Sequence, residues 1–219
     1  ATKVCCNFPE TVSELPANKA VLTGTPIRQE LLEGSPERAR EFTGFTSDKP
    51  VIMIIGGSLG AAAVNDAVRA VLHELLKNFQ IIHLCGKGKL DESLKNTKGY
   101  VQYEYIKKEL ADLFALADIV ISRAGANAIC ELSALKKPNL LIPLSARASR
   151  GDQILNARSF ERMGYSVVLE EEEITNEKLV DIINSLYKGR AAYTEAMSKS
   201  KLTDSIEEIV QLFEQAVNR

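Results

Sequence analysis

Between Asp118 and Glu131 the chain reads Asp-Ile-Val-Ile-Ser-Arg-Ala-Gly-Ala-Asn-Ala-Ile-Cys-Glu. The apolar, β-branched run at residues 119–121 is short enough to be a buried strand. It stops at Ser122-Arg123-Ala124-Gly125, and small helix-forming residues follow at once. Strand, tight glycine turn and helix in that order place a helix N-terminus at the carboxyl edge of a parallel sheet, where ligands bind. The free N–H groups and the dipole at such an end suit an anion such as a diphosphate. Glu131 falls about one and a half turns into the helix. There it could accept hydrogen bonds from a diol such as a ribose. Taken alone, Gly125 would equally make a plain turn, and Glu131 would equally be a solvated helix residue.

A second unit of the same kind precedes it. Residues 51–55 are an apolar strand, Gly56-Gly57-Ser58-Leu59-Gly60 is the turn, and a helix is expected over 61–77. Val64, Val68, Val71, Leu72 and Leu75 in that helix follow a 3.6-residue period. The turn is not G-x-G-x-x-G, and the next strand ends Leu84-Cys85-Gly86 with no acidic residue for an NAD ribose. Nor is it a P-loop, because Gly-Lys-Ser/Thr is missing. Arg28, Ser58 and Arg123 all fall at carboxyl ends of expected strands. Two guanidinium groups, a hydroxyl and two helix N-termini could therefore converge on one edge and hold a diphosphate. Either arginine taken singly would equally be a surface residue.

The bulk numbers exclude other classes. The chain has 219 residues, a net charge of −2 and a pI near 5.9. There is no basic field for nucleic acid and no polybasic segment for anionic lipid. No apolar run approaches the ~20 residues that span a bilayer, and no signal peptide is visible. Cys5, Cys6, Cys85 and Cys130 form no C-x-x-C pair and read as mostly buried thiols of a reducing compartment. His73, on a helix, and His83, inside a strand, read as packing or surface residues rather than bases. No Asp-x-Asp occurs, so an obligate metal clamp has no evident ligands; neither a metal nor a cofactor is expected. The start at Ala1, without Met and just before a strand, suggests a piece of a longer protein or a processed chain.

The elements that must position these residues alternate along the chain. Strands are expected at residues 4–8, 20–23, 51–55, 79–85, 100–105, 119–121, 139–142 and 165–169. Helices are expected at 11–15, 27–32, from Ser35-Pro36 onward, 61–77, 109–117, from Gly125 to about 136, 152–163, 176–187, 191–200 and 203–217. Ser35 serves as a cap with Pro36 at the first helical position. The acidic run 170–173 reads as a solvated loop. Alternation of this kind predicts an α/β fold, a Rossmann-like doubly wound parallel sheet of about six strands. Without an interior linker, residues 1–219 are expected to be a single domain.

Several short motifs then carry a resemblance. Thr23-Gly24-Thr25-Pro26-Ile27-Arg28, the 56–61 turn, residues 121–126, Glu131, residues 138–143, Asp152-Gln153 and Asn156-Ala157 occur in the order found in the MurG family of bacterial glycosyltransferases. The chain resembles the C-terminal half of that family over nearly its whole length. The resemblance implies a GT-B enzyme, two Rossmann-like domains facing across a cleft. This half would hold UDP-N-acetylglucosamine (UDP-GlcNAc), and the N-terminal acceptor domain is absent. It implies Arg28 and Ser58 on the diphosphate, Ile106 meeting uracil through its backbone, and N–H groups of Ala124, Gly125 and Ala126 near the diphosphate. Arg123 would shape the nucleotide pocket, Glu131 would bind ribose hydroxyls, and Asp152, Gln153 and Asn156 would approach the sugar. Asp152 stands where many relatives carry Gln or His. The catalytic base is expected in the missing half, as is the surface that touches the inner face of the cell membrane, where the lipid-linked acceptor lies. The enzyme is expected in the cytoplasm, peripheral on that face. Two other readings stay open: the soluble donor-binding subunit of a two-chain N-acetylglucosaminyltransferase, and another UDP-sugar enzyme such as a 2-epimerase.

Overall fold

Six short apolar strands make the frame, and alternation along each explains its two buried faces. In β3 (Val51–Ile55), Val51 and Met53 face one core while Ile52 and Ile54 face the other, all at 2% exposure or less. The computed structural model describes residues 1–57, 60–148, 150–200 and 205–217. Its elements follow in order as β1 (Val4–Cys6), α1 (Pro9–Ser13), β2 (Ala20–Leu22), α2 (Pro36–Thr43), β3, α3 (Ala62–Ala70), α4 (Leu72–Leu75) and β4 (Gln80–Leu84). Then come β5 (Tyr100–Tyr103), α5 (Leu110–Leu116), β6 (Ile119–Ser122), α6 (Ala126–Ala134), β7 (Asn139–Leu141), α7 (Asp152–Arg162), β8 (Ser166–Val168), α8 (Asn176–Ser198) and α9 (Ser205–Val217). Short 3-10 turns lie at Gln29–Glu33, Glu92–Leu94 and Glu171–Glu173.

The large sheet is parallel throughout, in the order β5-β4-β3-β6-β7-β8. The chain builds outward from β3 to β5, then returns to lay β6 on the other side of β3. That reversal leaves a crevice at the carboxyl ends of β3 and β6. Register closes the argument: Ile55 pairs with Ser122, so the turn after β3 and the turn after β6 leave the sheet side by side.

Several expectations are corrected. β1 and β2 stand apart as a two-stranded parallel sheet. They are tied to the main body where the Glu10 carboxylate pairs with Arg162 and accepts from the Ser159 hydroxyl at 2.9 Å, and where Phe8 meets Phe160 edge-on at 6.2 Å. The helix expected over 61–77 breaks at Val71 (φ −108°, ψ 8°), yet Val64, Val68, Leu72 and Leu75 all reach the same core. The two helices expected between 176 and 200 are one, α8. Gly189 costs a helix about 1 kcal/mol, and burial of Leu179, Ile183, Leu186 and Met197 on either side of it outweighs that. The residues expected as a helix at 27–32 form the 3-10 turn Gln29–Glu33. The four thiols are free, and Cys5 is exposed.

The glycine turn after β3 is held from below by a buried polar cluster. Asn65 of α3 donates from Nδ2 to the Cys85 carbonyl at 2.8 Å, so its Oδ1 is the atom facing His83 Nε2 at 2.9 Å. Nε2 must then carry the proton, and Nδ1 accepts from the Tyr100 hydroxyl at 2.8 Å. Burial without an acidic partner lowers the His83 pKa to about 3. Above this cluster Gly60 has φ +67°, and a Cβ there would stand 1.9 Å from the Cys85 carbonyl oxygen. Lys89 Nζ also donates to the Gly60 carbonyl at 3.2 Å.

Two outcomes follow for stability. The unfolded chain protonates His83 below its ordinary pKa of about 6.5, whereas the folded chain resists until about 3. This contribution to stability is therefore complete above pH 6.5 and is lost on acidification, by about 2 kcal/mol at pH 5. Denaturant melts at pH 8 and pH 5 should show that loss in the native protein and lack it in His83→Gln; an equal loss of stability in both would contradict it. Thermal melts should also separate two glycines. Gly57→Ala, with φ +82° and open space around it, should cost about 1–2 kcal/mol. Gly60→Ala should cost about 3 kcal/mol, since backbone must also move.

Candidate functional site

The crevice between the two turns is a cavity of about 700 Å³, within the range for small-molecule sites. Its wall includes Gly56, Gly57, Gly60, Arg123, Gly125, Glu131, Leu144 and Gln153. Of the residues expected to bind, Arg123, Gly125, Glu131 and Gln153 are thus brought together from three different elements. Ser58 lies outside the described residues.

One end of the cavity is the N-terminus of α6. Gly125 caps the helix with extended backbone (φ −66°, ψ 140°), no side chain caps it, and no acidic residue occupies its first turn. A Cβ placed on Gly125 would meet nothing within 4 Å. The leading N–H groups of a nine-residue helix therefore open onto the cavity, a favourable setting for an anion. Ala124 is fully buried behind them, and Ala126 is the first helical residue. Asn156 Nδ2 donates to the Ala124 carbonyl at 3.1 Å, and Gln153 Oε1 accepts from the Leu144 backbone N–H at 3.0 Å. Both side chains thus pin the turn and the loop around the cavity. Asp152 is exposed at the first turn of α7 and Ile106 is packed in the core at 9% exposure. Neither contributes to the cavity wall.

Arg28 and Glu131, assigned to different parts of a ligand by the sequence, are joined here. Arg28 donates from Nε to Glu131 Oε1 at 3.2 Å, with Nη2 at 3.1 Å from the same oxygen. The Arg28 side chain is 48% exposed, so the pair contributes at most about 1 kcal/mol and is easily exchanged for a ligand. Arg123 behaves otherwise. Its side chain is 13% exposed; Nη1 donates to the carbonyls of Ile142 and Pro143 at 3.1 and 3.0 Å and lies 2.5 Å from Glu171 Oε2. It is committed to the protein on three sides. The two guanidinium groups therefore do not act as twin free cations: one is releasable and one is a brace.

The acidic run 170–173, expected as a solvated loop, is an ion-paired turn. Glu170 pairs with Arg158 at 2.6 Å, Glu171 with Arg123, and Glu173 with Lys178 at 2.7 Å. Glu172 accepts from the Ser145 hydroxyl, which lowers its pKa. Nothing in the run marks these partners, since the cations come from three separate segments. Asn127 on the cavity wall was also missed; its place two residues after Gly125 was the available signal.

A cavity of similar size, about 720 Å³, lies at the opposite edge of the sheet beside Asp118, Lys137 and Arg190. It lacks the features above. Lys137 Nζ is occupied by the carbonyls of Ala115 and Ala117 at 3.2 and 2.9 Å, where it closes the end of α5. Burial lowers its pKa. His73 is exposed on α4 and His83 is enclosed as described; neither borders the carboxyl-edge cavity.

Known proteins bear on this site. The model of the glycosyltransferase family 28 C-terminal domain matches residues 51–212. A UDP-N-acetylglucosamine–N-acetylmuramyl-(pentapeptide) pyrophosphoryl-undecaprenol N-acetylglucosamine transferase of Lachnospira eligens is 62% identical over 97% of the chain and 60% of its own length. A relative of the same description from Lachnoclostridium phytofermentans is 60% identical over 98% of the chain and 61% of its length. The crystal structure of Acinetobacter baumannii MurG superposes with a TM-score of 0.74 at 26% identity, over 98% of the chain and 60% of that protein. The chain spans about three fifths of the length of these relatives. With β3 through most of α9 inside the matched region, the chain belongs to glycosyltransferase family 28, whose C-terminal domain it contains.

Proposed function

We propose that the chain is the UDP-GlcNAc-binding half of a hexosyltransferase that moves N-acetylglucosamine onto undecaprenyl-diphosphate-linked muramoyl-pentapeptide. The observation that carries this reading is the carboxyl-edge cavity, with its uncapped α6 N-terminus beside the exchangeable Arg28–Glu131 pair. The activity of the 62% identical relative from Lachnospira eligens supplies the donor and acceptor.

In this reading the diphosphate lies on the N–H groups at Gly125 and Ala126. Arg28 leaves Glu131 for the diphosphate, and Glu131, freed of its partner, turns to the ribose hydroxyls. The exchange keeps both charges paired and costs little, because the original pair is exposed. The sugar faces the rim made by Asp152, Gln153 and Asn156. An acceptor hydroxyl then attacks the anomeric carbon with inversion, while the bond to the diphosphate breaks and its electrons go to UDP. Negative charge grows on the leaving oxygen, where Arg28 and the α6 dipole stabilise it; donors of this kind contribute a few kcal/mol each. The base that takes the acceptor proton belongs to the part of the enzyme that this chain does not span. That part also meets the lipid-linked acceptor and holds the enzyme at the inner face of the cell membrane. Among the described residues no helix is long and apolar enough to cross a membrane.

Calorimetric titration of the chain with UDP-GlcNAc, UDP, UDP-glucose and uridine tests the reading. Binding of the UDP species in the micromolar to millimolar range is the expected result. Glu131→Ala should weaken UDP and uridine alike, by about tenfold, for the lost ribose hydrogen bonds. Arg28→Ala should weaken UDP by about tenfold and leave uridine unchanged. No binding at millimolar ligand, or equal effects of Arg28→Ala on UDP and uridine, would contradict the assignment.

A further inference from the structure

The acidic turn after β8 has no role in the reaction as derived so far, yet it reaches the donor cavity through Arg123 on the cavity wall. Glu171 ion-pairs with Arg123, whose same Nη1 holds the carbonyls of Ile142 and Pro143 at the end of β7. Both carbonyls lie at the start of the segment between β7 and α7. That segment includes Leu144, whose N–H is held by Gln153, and it ends at Gly151 in a left-handed conformation (φ +82°) from which α7 starts. The chain of contacts therefore runs from the acidic turn to the loop, and from the loop to Gln153 on the cavity wall.

We infer that Glu171 is a positioning residue for the sugar side of the donor site. Through Arg123 it fixes the start of the β7–α7 loop, and through that loop Gln153, at the distance a hexose requires. The inference rests on the donor-site reading above and adds to it a residue that sets sugar over bare nucleotide. The physical grounds are burial and geometry. Glu171 is 25% exposed against an arginine at 13%, so the pair is screened less than a surface pair. Removing its carboxylate leaves the Arg123 charge in a confined place with two carbonyls alone. The diphosphate end of the cavity is built from other elements, the turn after β3 and the start of α6. Glu173, which pairs with Lys178 on α8, is a built-in control within the same turn.

The test is titration of UDP and UDP-GlcNAc into Glu171→Gln, Glu171→Asp and Glu173→Gln variants, each with a thermal melt. The expected result is a loss of about tenfold in UDP-GlcNAc affinity for Glu171→Gln, with UDP unchanged within about twofold. Glu171→Asp should recover most of the loss, and Glu173→Gln should change neither ligand. Equal losses for both ligands with a lowered melting point would overturn the inference in favour of a merely structural role. So would unchanged affinities, or tighter UDP binding in Glu171→Gln, which would make Arg123 a diphosphate ligand held off by Glu171. Failure of the unsubstituted chain to bind either ligand would instead overturn the donor-site reading itself, and is seen before any substitution is made.

Discussion

The carboxyl-edge cavity depends on the pairing of β3 with β6. Each is hydrophobic on both faces, and each is buried on both. They are parallel, and their register sets Ile55 against Ser122. Two chain segments almost seventy residues apart in sequence are thereby made to turn at the same place and in the same direction. Parallel strands demand a long return path, so each turn is followed by a helix that carries the chain back. The N-termini of both helices consequently open at the same edge. A sheet of the same strands in antiparallel order would scatter those turns over two edges and leave no cavity.

Electrostatics then decides which groups in the cavity are available. The local charge is balanced, because Arg28 and Arg123 each have a carboxylate within reach. What distinguishes them is what else each one touches. Arg28 holds only carboxylates and is half exposed, so water competes with its partners and a stronger anion can replace them. Arg123 is enclosed and donates to two main-chain carbonyls besides its ion pair. Moving it would strand acceptors at the end of β7. The attraction for an anion therefore rests on the fixed N–H groups at α6 and on one exchangeable guanidinium.

Much of the fold was legible in the sequence because it rests on local signals. The two strand–glycine–helix units declare themselves through β-branched runs that stop at Gly56-Gly57 and at Gly125, followed by helical spacing. Ser35 at the start of α2 accepts from the Arg38 N–H, as its place before Pro36 suggested. What escaped the sequence rests on partners far apart. Arg28 and Glu131 are separated by 103 positions, and no local pattern couples them. The acidic run reads as solvated until three cations and a serine, each from another segment, arrive beside it. His83 gives only its strand position; the tautomer follows once Asn65 and Tyr100 are found on either side. Helix ends were misread where packing overruled propensity, as at Gly189 within α8. Strand order, and with it the separation of β1 and β2 from the large sheet, is a tertiary property with no local signature.

A crystal structure of the chain with UDP bound tests the central claim most directly. The account places the diphosphate about 3 Å from the N–H groups of Gly125 and Ala126, Glu131 on the ribose hydroxyls, and Arg28 turned from Glu131 onto the diphosphate, with Arg123 still held by Glu171. A diphosphate bound at the opposite edge beside Lys137 and Arg190, or a nucleotide bound with the Arg28–Glu131 pair intact, would contradict it.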